Sequence, residues 1–182
     1  MTQMNDFDSL FELVCSHEGD YGDDSVDPGN WTGGAVGVGS CRGTKFGISA
    51  AAYPDIDIAN LTFDEAKSLY RRDYWEKISG DRLPSALALL VFDAAINNGP
   101  ERAISWLQGI VHVERDGIIG QNTLSAINQV ANDRDGLIAL CSEYLTQRLM
   151  FMTSLVTWKT FGLGWARRLF KLSLETLPYL EQ

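Results

Sequence analysis

The sequence predicts a mainly α, α+β fold, with a helical lobe carrying a small glycine-rich β-lobe. Three observations lead there. Apolar residues recur at helical spacing through most of the chain. Nine of the seventeen glycines crowd into residues 19–47, a density that marks turns and hairpins. Leu87 to Phe92 is apolar on every side of a helix, as expected of one at the centre of a core. With 182 residues, 45% of them hydrophobic, the chain can bury a sizeable core as one domain or as a main lobe with a smaller one.

Taken in order, Asn5 or Asp6 can cap a first helix whose Phe7, Leu10, Phe11 and Val14 share one face. Glu18 continues that face and Gly19 suits a left-handed C-terminal cap. Ala35 to Cys41 and Thr44 to Ile48 read as short strands, and Asp27-Pro28-Gly29 between Glu18 and them is a turn signature. Thr62-Phe63-Asp64-Glu65 is a capping box opening a helix through Leu69, Tyr70, Tyr74, Trp75 and Ile78. Pro84 opens the central helix, Ser85 to about Asn97. Within it Asp93 and Asn97 stand at i and i+4, either satisfying one another or facing a cleft. A helix from about Glu101 to Gly109 follows the Gly99-Pro100 break. The turn Asp116 to Gly120 leads into a helix holding Leu124 and Ile127. Asp133 or Asp135 precedes a long helix with Leu137, Leu140, Cys141, Tyr144, Leu145, Arg148 and Met152, ended or bent at Gly162 and Gly164 before a last helix from Trp165 to about Leu177. Trp158, Lys159, Phe161, Trp165, Arg167 and Arg168 near the end read as core plus rim, with a binding surface as the alternative.

Composition excludes several functions. Residues 1–66 carry 2 basic and 12 acidic groups, 67–141 carry 8 and 9, and 142–182 carry 5 and 3, giving −10, −1 and +2 of the total −9. An acidic first third argues against nucleic acid, whose binding rests on Lys and Arg. No apolar run approaches the ~20 residues of a membrane span, so no stable membrane insertion is expected. The first residues lack a basic and an apolar region of a secretory signal. Synthesis in the cytoplasm is expected, with any target beyond the membrane reached by separate delivery. Cys15, Cys41 and Cys141 follow no metal spacing and read as buried apolar residues or free thiols. With His17 and His112 alone, a zinc site is poorly supplied, and no metal or cofactor is expected.

The chemistry gathers at Glu18. The apolar stripe before it and the negative end of the helix dipole both disfavour its ionised form and raise its pKa, as a general acid requires. Alone, such a Glu reads first as a solvated helix end.

Motif order decides between them. Glu18-Gly19-Asp20-Tyr21, then Asp27-Pro28-Gly29, then Thr44-Lys45-Phe46-Gly47-Ile48 resemble the Glu-Gly-Gly-Tyr, Asp-Pro-Gly and Thr-x-x-Gly-Ile motifs of glycoside hydrolase family 108, the phage-type N-acetylmuramidases. Phe92 to Gly99, Asp116 to Leu124 and Gly164 to Arg168 resemble the helical peptidoglycan-binding module that accompanies them. Asp20 replaces the family's second Gly, and 30–43 is longer than the usual turn-to-strand connection.

The resemblance implies a lysozyme-like fold, with a muramidase region at 1–97 whose β-lobe spans about 19–48. A wall-binding region at 98–182 would pack with it as one compact unit. It implies Glu18 as catalytic acid, Asp27 as the ionised second carboxylate and Thr44 as a holder of water; Tyr21 within the motif, and Asp93 and Asn97 if their shared face lines a cleft, are the candidate substrate contacts. A glycosidic bond needs a proton for the leaving oxygen and a second group to position water or stabilise the oxocarbenium-like transition state. The implied substrate is the peptidoglycan glycan strand, cut between N-acetylmuramic acid and N-acetylglucosamine, with inversion as the outcome in phage-type lysozymes. The implied setting is bacteriolysis or secretion: a monomer, delivered by a holin-like or secretion system, acting in the periplasm or cell wall. A lytic transglycosylase using the same Glu, and a non-catalytic wall-binding or virion protein, are the alternatives.

Overall fold

The computed structural model describes residues 7–15 and 21–180, with the backbone alone at Cys15. The expected caps at Asn5, Asp6 and Gly19, and Glu18 itself, lie outside the described residues. The elements in order are α1 (Phe7–Cys15), β1 (Thr44–Lys45), β2 (Ile48–Ser49), α2 (Phe63–Tyr70), α3 (Ser85–Asn98), α4 (Pro100–Ile110), α5 (Gln121–Val130), α6 (Arg134–Ser154), α7 (Trp158–Glu175) and α8 (Leu177–Leu180). The chain divides into two compact units, Phe11–Arg71 and Met1–Leu10 with Arg72–Gln182. α3 packs against α4 and α6 and so belongs with the helices that follow it.

In the first of these units the fold is mostly turns. Phe11 packs on Phe63 and Tyr70, each at 5.4 Å between ring centroids, and Phe46 meets Phe63 edge-on at 5.6 Å. The expected strand over Thr44–Ile48 is instead a tight antiparallel hairpin, Thr44 opposite Ser49 and Lys45 opposite Ile48. Phe46 (φ 51°) and Gly47 (φ 73°) make its two-residue loop, the left-handed pair that such hairpins demand. The Tyr70 hydroxyl donates to the Phe46 carbonyl at 3.1 Å, holding a non-glycine residue in that conformation. The expected strand over 35–41 does not form. Gly34, Gly37 and Gly39 all take positive φ and turn the backbone out of any ladder, leaving one bridge between Trp31 and Cys41. The Thr62–Glu65 capping box is present at the start of α2, with Thr62 N–H donating to Glu65 Oε2 at 2.8 Å and Glu65 N–H to Thr62 Oγ1 at 3.3 Å. α2 ends at Tyr70, and a single π turn, Arg71–Trp75, continues it.

The helical unit is built around α3, whose residues Ala86 to Ala95 are all buried. Phe7, Trp75 and Phe92 form an aromatic triangle at 5.4–5.8 Å on its flank. Two polar anchors tie the other helices to this core. The Tyr144 hydroxyl of α6 donates to the Ala103 carbonyl of α4 at 3.0 Å, and burial pushes its pKa up. Gln108 of α4, fully buried, donates to Asp116 Oδ1 (2.7 Å), Ile118 O (3.0 Å) and Thr123 Oγ1 (3.2 Å) and accepts from Gly117 N–H (3.0 Å). The Asp116-Gly117-Ile118 turn is thereby folded around one amide, which also holds the Asp116 carboxyl below its ordinary pKa. Cys141 is buried, and desolvation pushes its thiol up to about 12, an inert small apolar residue.

The C-terminal glycines do not act as expected. α6 stops at Ser154, and Gly162 and Gly164 lie inside a continuous α7. At Gly162 a Cβ would sit 2.6 Å from the Trp158 indole, so this glycine makes room for a ring one turn earlier instead of breaking the helix. Trp158 and Trp165 are half-buried there, 6.1 Å apart, while Phe161 is exposed.

Candidate active site

Of the residues the sequence singles out, Asp27 and Thr44 are brought into one hydrogen-bonded assembly. Asp27 caps a 3₁₀ turn, Pro28–Asn30, with Oδ1 accepting from Gly29 N–H at 2.8 Å. Pro28 presets the turn and Gly29 lets the backbone approach the carboxylate. The carboxylate is exposed, oriented by that one bond, with Oδ2 taking no hydrogen bond among the described residues.

The turn ends on Asn30, which nothing in the sequence singles out. Its side chain is buried, 4% exposed. Nδ2 donates to the Asp24 carbonyl at 2.9 Å, fixing the amide's orientation, and Oδ1 accepts the Thr44 hydroxyl at 2.7 Å. Its carbonyl accepts from Arg42 and Gly43 N–H at 2.8 and 3.1 Å. One residue therefore joins the Asp27 turn, the end of the inserted loop and Thr44. A polar residue after a turn signature ordinarily reads as solvated; the signal for Asn30 lies in three-dimensional closure, which spacing does not display.

The insertion leaves Thr44 beside the turn because it buds out between Asn30 and Gly43. Thr32 N–H donates to Ser40 O at 3.0 Å and the Trp31 indole N–H to Ser25 O at 2.9 Å, closing its neck. Thr44 also pairs through its backbone with Gly22, at 2.8 and 2.9 Å. The chain just after the Glu18 motif is thus held against the residue expected to hold water. Tyr21, 39% exposed, lays its ring on Gly43, whose φ of 81° and missing Cβ permit the contact. Desolvation, then the charge of Asp23, pushes the Tyr21 hydroxyl up.

The hydrogen-bond directions set what Thr44 can do. Its only proton is committed to Asn30, so toward any water it acts as an acceptor. A water held by Thr44 Oγ1 and a carboxylate gives its protons to both and turns a lone pair outward, the posture of a nucleophile. Asn30→Ala is expected to free the Thr44 hydroxyl and lower kcat about 10-fold to 10²-fold with KM little changed. Initial rates of fragment release from purified peptidoglycan check this; an unchanged kcat contradicts it.

Asp93 and Asn97 are elsewhere. Asp93 is 1% exposed inside the helical unit, its Oδ2 2.8 Å from Arg148 Nη1 and its Oδ1 accepting from Arg168 Nε and Nη2 at 2.9 and 2.6 Å. Asn97 is exposed and donates to the Asp93 backbone carbonyl at 2.7 Å. The expected role of Asp93 as a substrate contact gives way to a structural one, because a carboxylate closed off by two guanidiniums has no surface to offer a sugar. Among the described residues no His, Cys, Asp and Glu cluster could hold a metal ion.

Residues 11–99 match the family described as glycosyl hydrolase 108, and residues 102–170 match the family described as predicted peptidoglycan domain. Among solved structures the chain is similar to SagA of Brucella abortus, with 33% sequence identity, a TM-score of 0.78, and coverage of 97% of this chain and 96% of that one. No curated protein matches the sequence.

Proposed function

The chain belongs to the glycosyl hydrolase 108 family, and on that premise we propose that it is an N-acetylmuramidase hydrolysing the bond between N-acetylmuramic acid and N-acetylglucosamine. Family membership and the peptidoglycan domain make it a glycoside hydrolase that acts on peptidoglycan. What supports a hydrolase using water is the Thr44 hydroxyl, an acceptor toward water, joined through Asn30 to the turn that Asp27 caps.

In this mechanism Glu18 gives its proton to the leaving glycosidic oxygen as the bond to the anomeric carbon breaks. Water held by Thr44 and Asp27 adds to that carbon, and Asp27 takes its proton. A water placed on the face opposite the acid inverts the anomeric centre. Tyr21 and Asn97 are proposed substrate contacts. Residues 1–97 form the cutting region and 98–182 the wall-binding region.

Digestion of purified peptidoglycan, borohydride reduction and mass spectrometry of the fragments test this specificity. The expected products end in reduced N-acetylmuramic acid. Ends in reduced N-acetylglucosamine would move the cut to the other glycosidic bond, and anhydro-muramic ends would make the enzyme a lytic transglycosylase.

A further inference from the structure

α7 carries two apolar faces, and the glycan chemistry uses neither. Leu169 and Leu172 point to the core and are buried, with Gly162 beside them. On the outer side Leu163, Phe170 and Leu174 stand 68%, 73% and 66% exposed, and Leu177 of α8 follows at 52%. Positions i, i+7 and i+11 keep the α7 residues in one stripe along the helix, and Leu177 follows three residues later. A single exposed leucine is ordinary, whereas an aligned stripe of Leu and Phe marks a surface that meets something apolar.

The charges beside the stripe are mostly basic. Lys159, Arg167 and Lys171 are exposed. The helix has no acid before Glu175, which lies 3.6 Å from Lys171. Of the four basic residues in Trp158–Glu175, Arg168 is paired with Asp93, which leaves Lys159, Arg167 and Lys171 against Glu175, a local +2 in a chain of −9. A basic amphipathic helix of this kind lies along an anionic interface.

We infer that the outer face of α7 docks peripherally on a membrane of anionic phospholipid. Leu163, Phe170 and Leu174 enter the boundary between headgroups and acyl chains, and Lys159, Arg167 and Lys171 meet the lipid phosphates. Among the described residues no helix is long and apolar enough to cross a membrane, so this contact lies on the surface. Two other occupants fit less well. Two-fold pairing of this face with a second copy would set its cations against one another. A glycan strand offers only the C–H faces of its rings, which stack best on aromatic rings, and three of the four stripe residues are leucines. The enzyme would thereby work on wall strands from the membrane side. This inference rests on α7 and not on the catalytic residues.

Co-sedimentation of the full chain tests it, using vesicles of equal parts phosphatidylglycerol and phosphatidylcholine against phosphatidylcholine alone. Partition into the anionic vesicles is expected to be about tenfold or more the stronger and to fall with added salt. Phe170→Ser with Leu174→Ser lowers it by about another factor of ten. Lys159→Gln with Arg167→Gln lowers it and flattens the salt dependence, and thermal melts by circular dichroism verify that each variant is folded. Equal partition into both vesicles, no partition, or folded variants that bind like the parent overturn the inference. So does light scattering that shows a dimer dispersed by Phe170→Ser in a protein that ignores vesicles.

Discussion

Glu18→Gln is expected to abolish wall clearing, lowering the rate of glycan cleavage by about 10²–10⁴-fold, while sedimentation with intact cell walls stays at the parent level. The amide keeps the side chain's size and hydrogen-bonding capacity and removes the proton the leaving oxygen needs. Asp27→Asn is expected to cost less than Glu18→Gln, because Thr44, oriented by Asn30, still holds the water. Both are read as initial rates of soluble fragment release. A Glu18→Gln protein near the parent rate would remove Glu18 from the mechanism.

The second large effect concerns stability. Asp93→Asn leaves the fully buried Arg148 without its counter-charge, and Nε and Nη2 of Arg148 already lack a hydrogen-bond partner among the described residues. Breaking a buried pair from one side costs about 3–5 kcal/mol. In a chain of this size that lowers Tm by roughly 6–20 °C, at about 2–4 °C per kcal/mol. Asp93→Leu combined with Arg148→Met is expected to recover much of the loss, since Arg168, 35% exposed at its side chain, can turn to solvent. Denaturant midpoints check both. An Asp93→Asn midpoint equal to the parent's would show that the carboxylate does not hold α3, α6 and α7 together. The folded fraction should keep its kcat, which separates this role from a substrate contact.

The helical lobe was legible because its signals are local. The capping box at Thr62, the all-apolar run Leu87–Phe92 and the Asp133 cap, which accepts from Gly136 N–H at 2.8 Å, each act within a few residues. Glycine was the weak indicator. The same residue type gives positive φ at Gly37 and Gly39, abolishing a strand, and makes space for an indole at Gly162 inside a helix. Spacing cannot tell those uses apart. The Asp93 network left a trace, since Arg148 follows Tyr144 by one turn on the inward side of α6 and Asp93 interrupts an apolar helix. A buried cation and a buried anion imply each other, but 75 residues separate Asp93 from its second partner Arg168. Of the candidate site, the sequence displays the chemical groups Asp27 and Thr44, which the fold joins through Asn30. Asn30, which gives Thr44 its polarity as an acceptor, depends on the loop over 31–42 closing on itself and was not legible.

Hydrolysis in water enriched in heavy oxygen tests the central claim most directly. If Asp27 and Thr44 deliver water to the anomeric carbon, each cut places one heavy oxygen on the new reducing end of N-acetylmuramic acid, and the fragment mass rises accordingly. Fragments released without heavy oxygen at the sugar, or with it on a peptide carboxylate, would contradict the account.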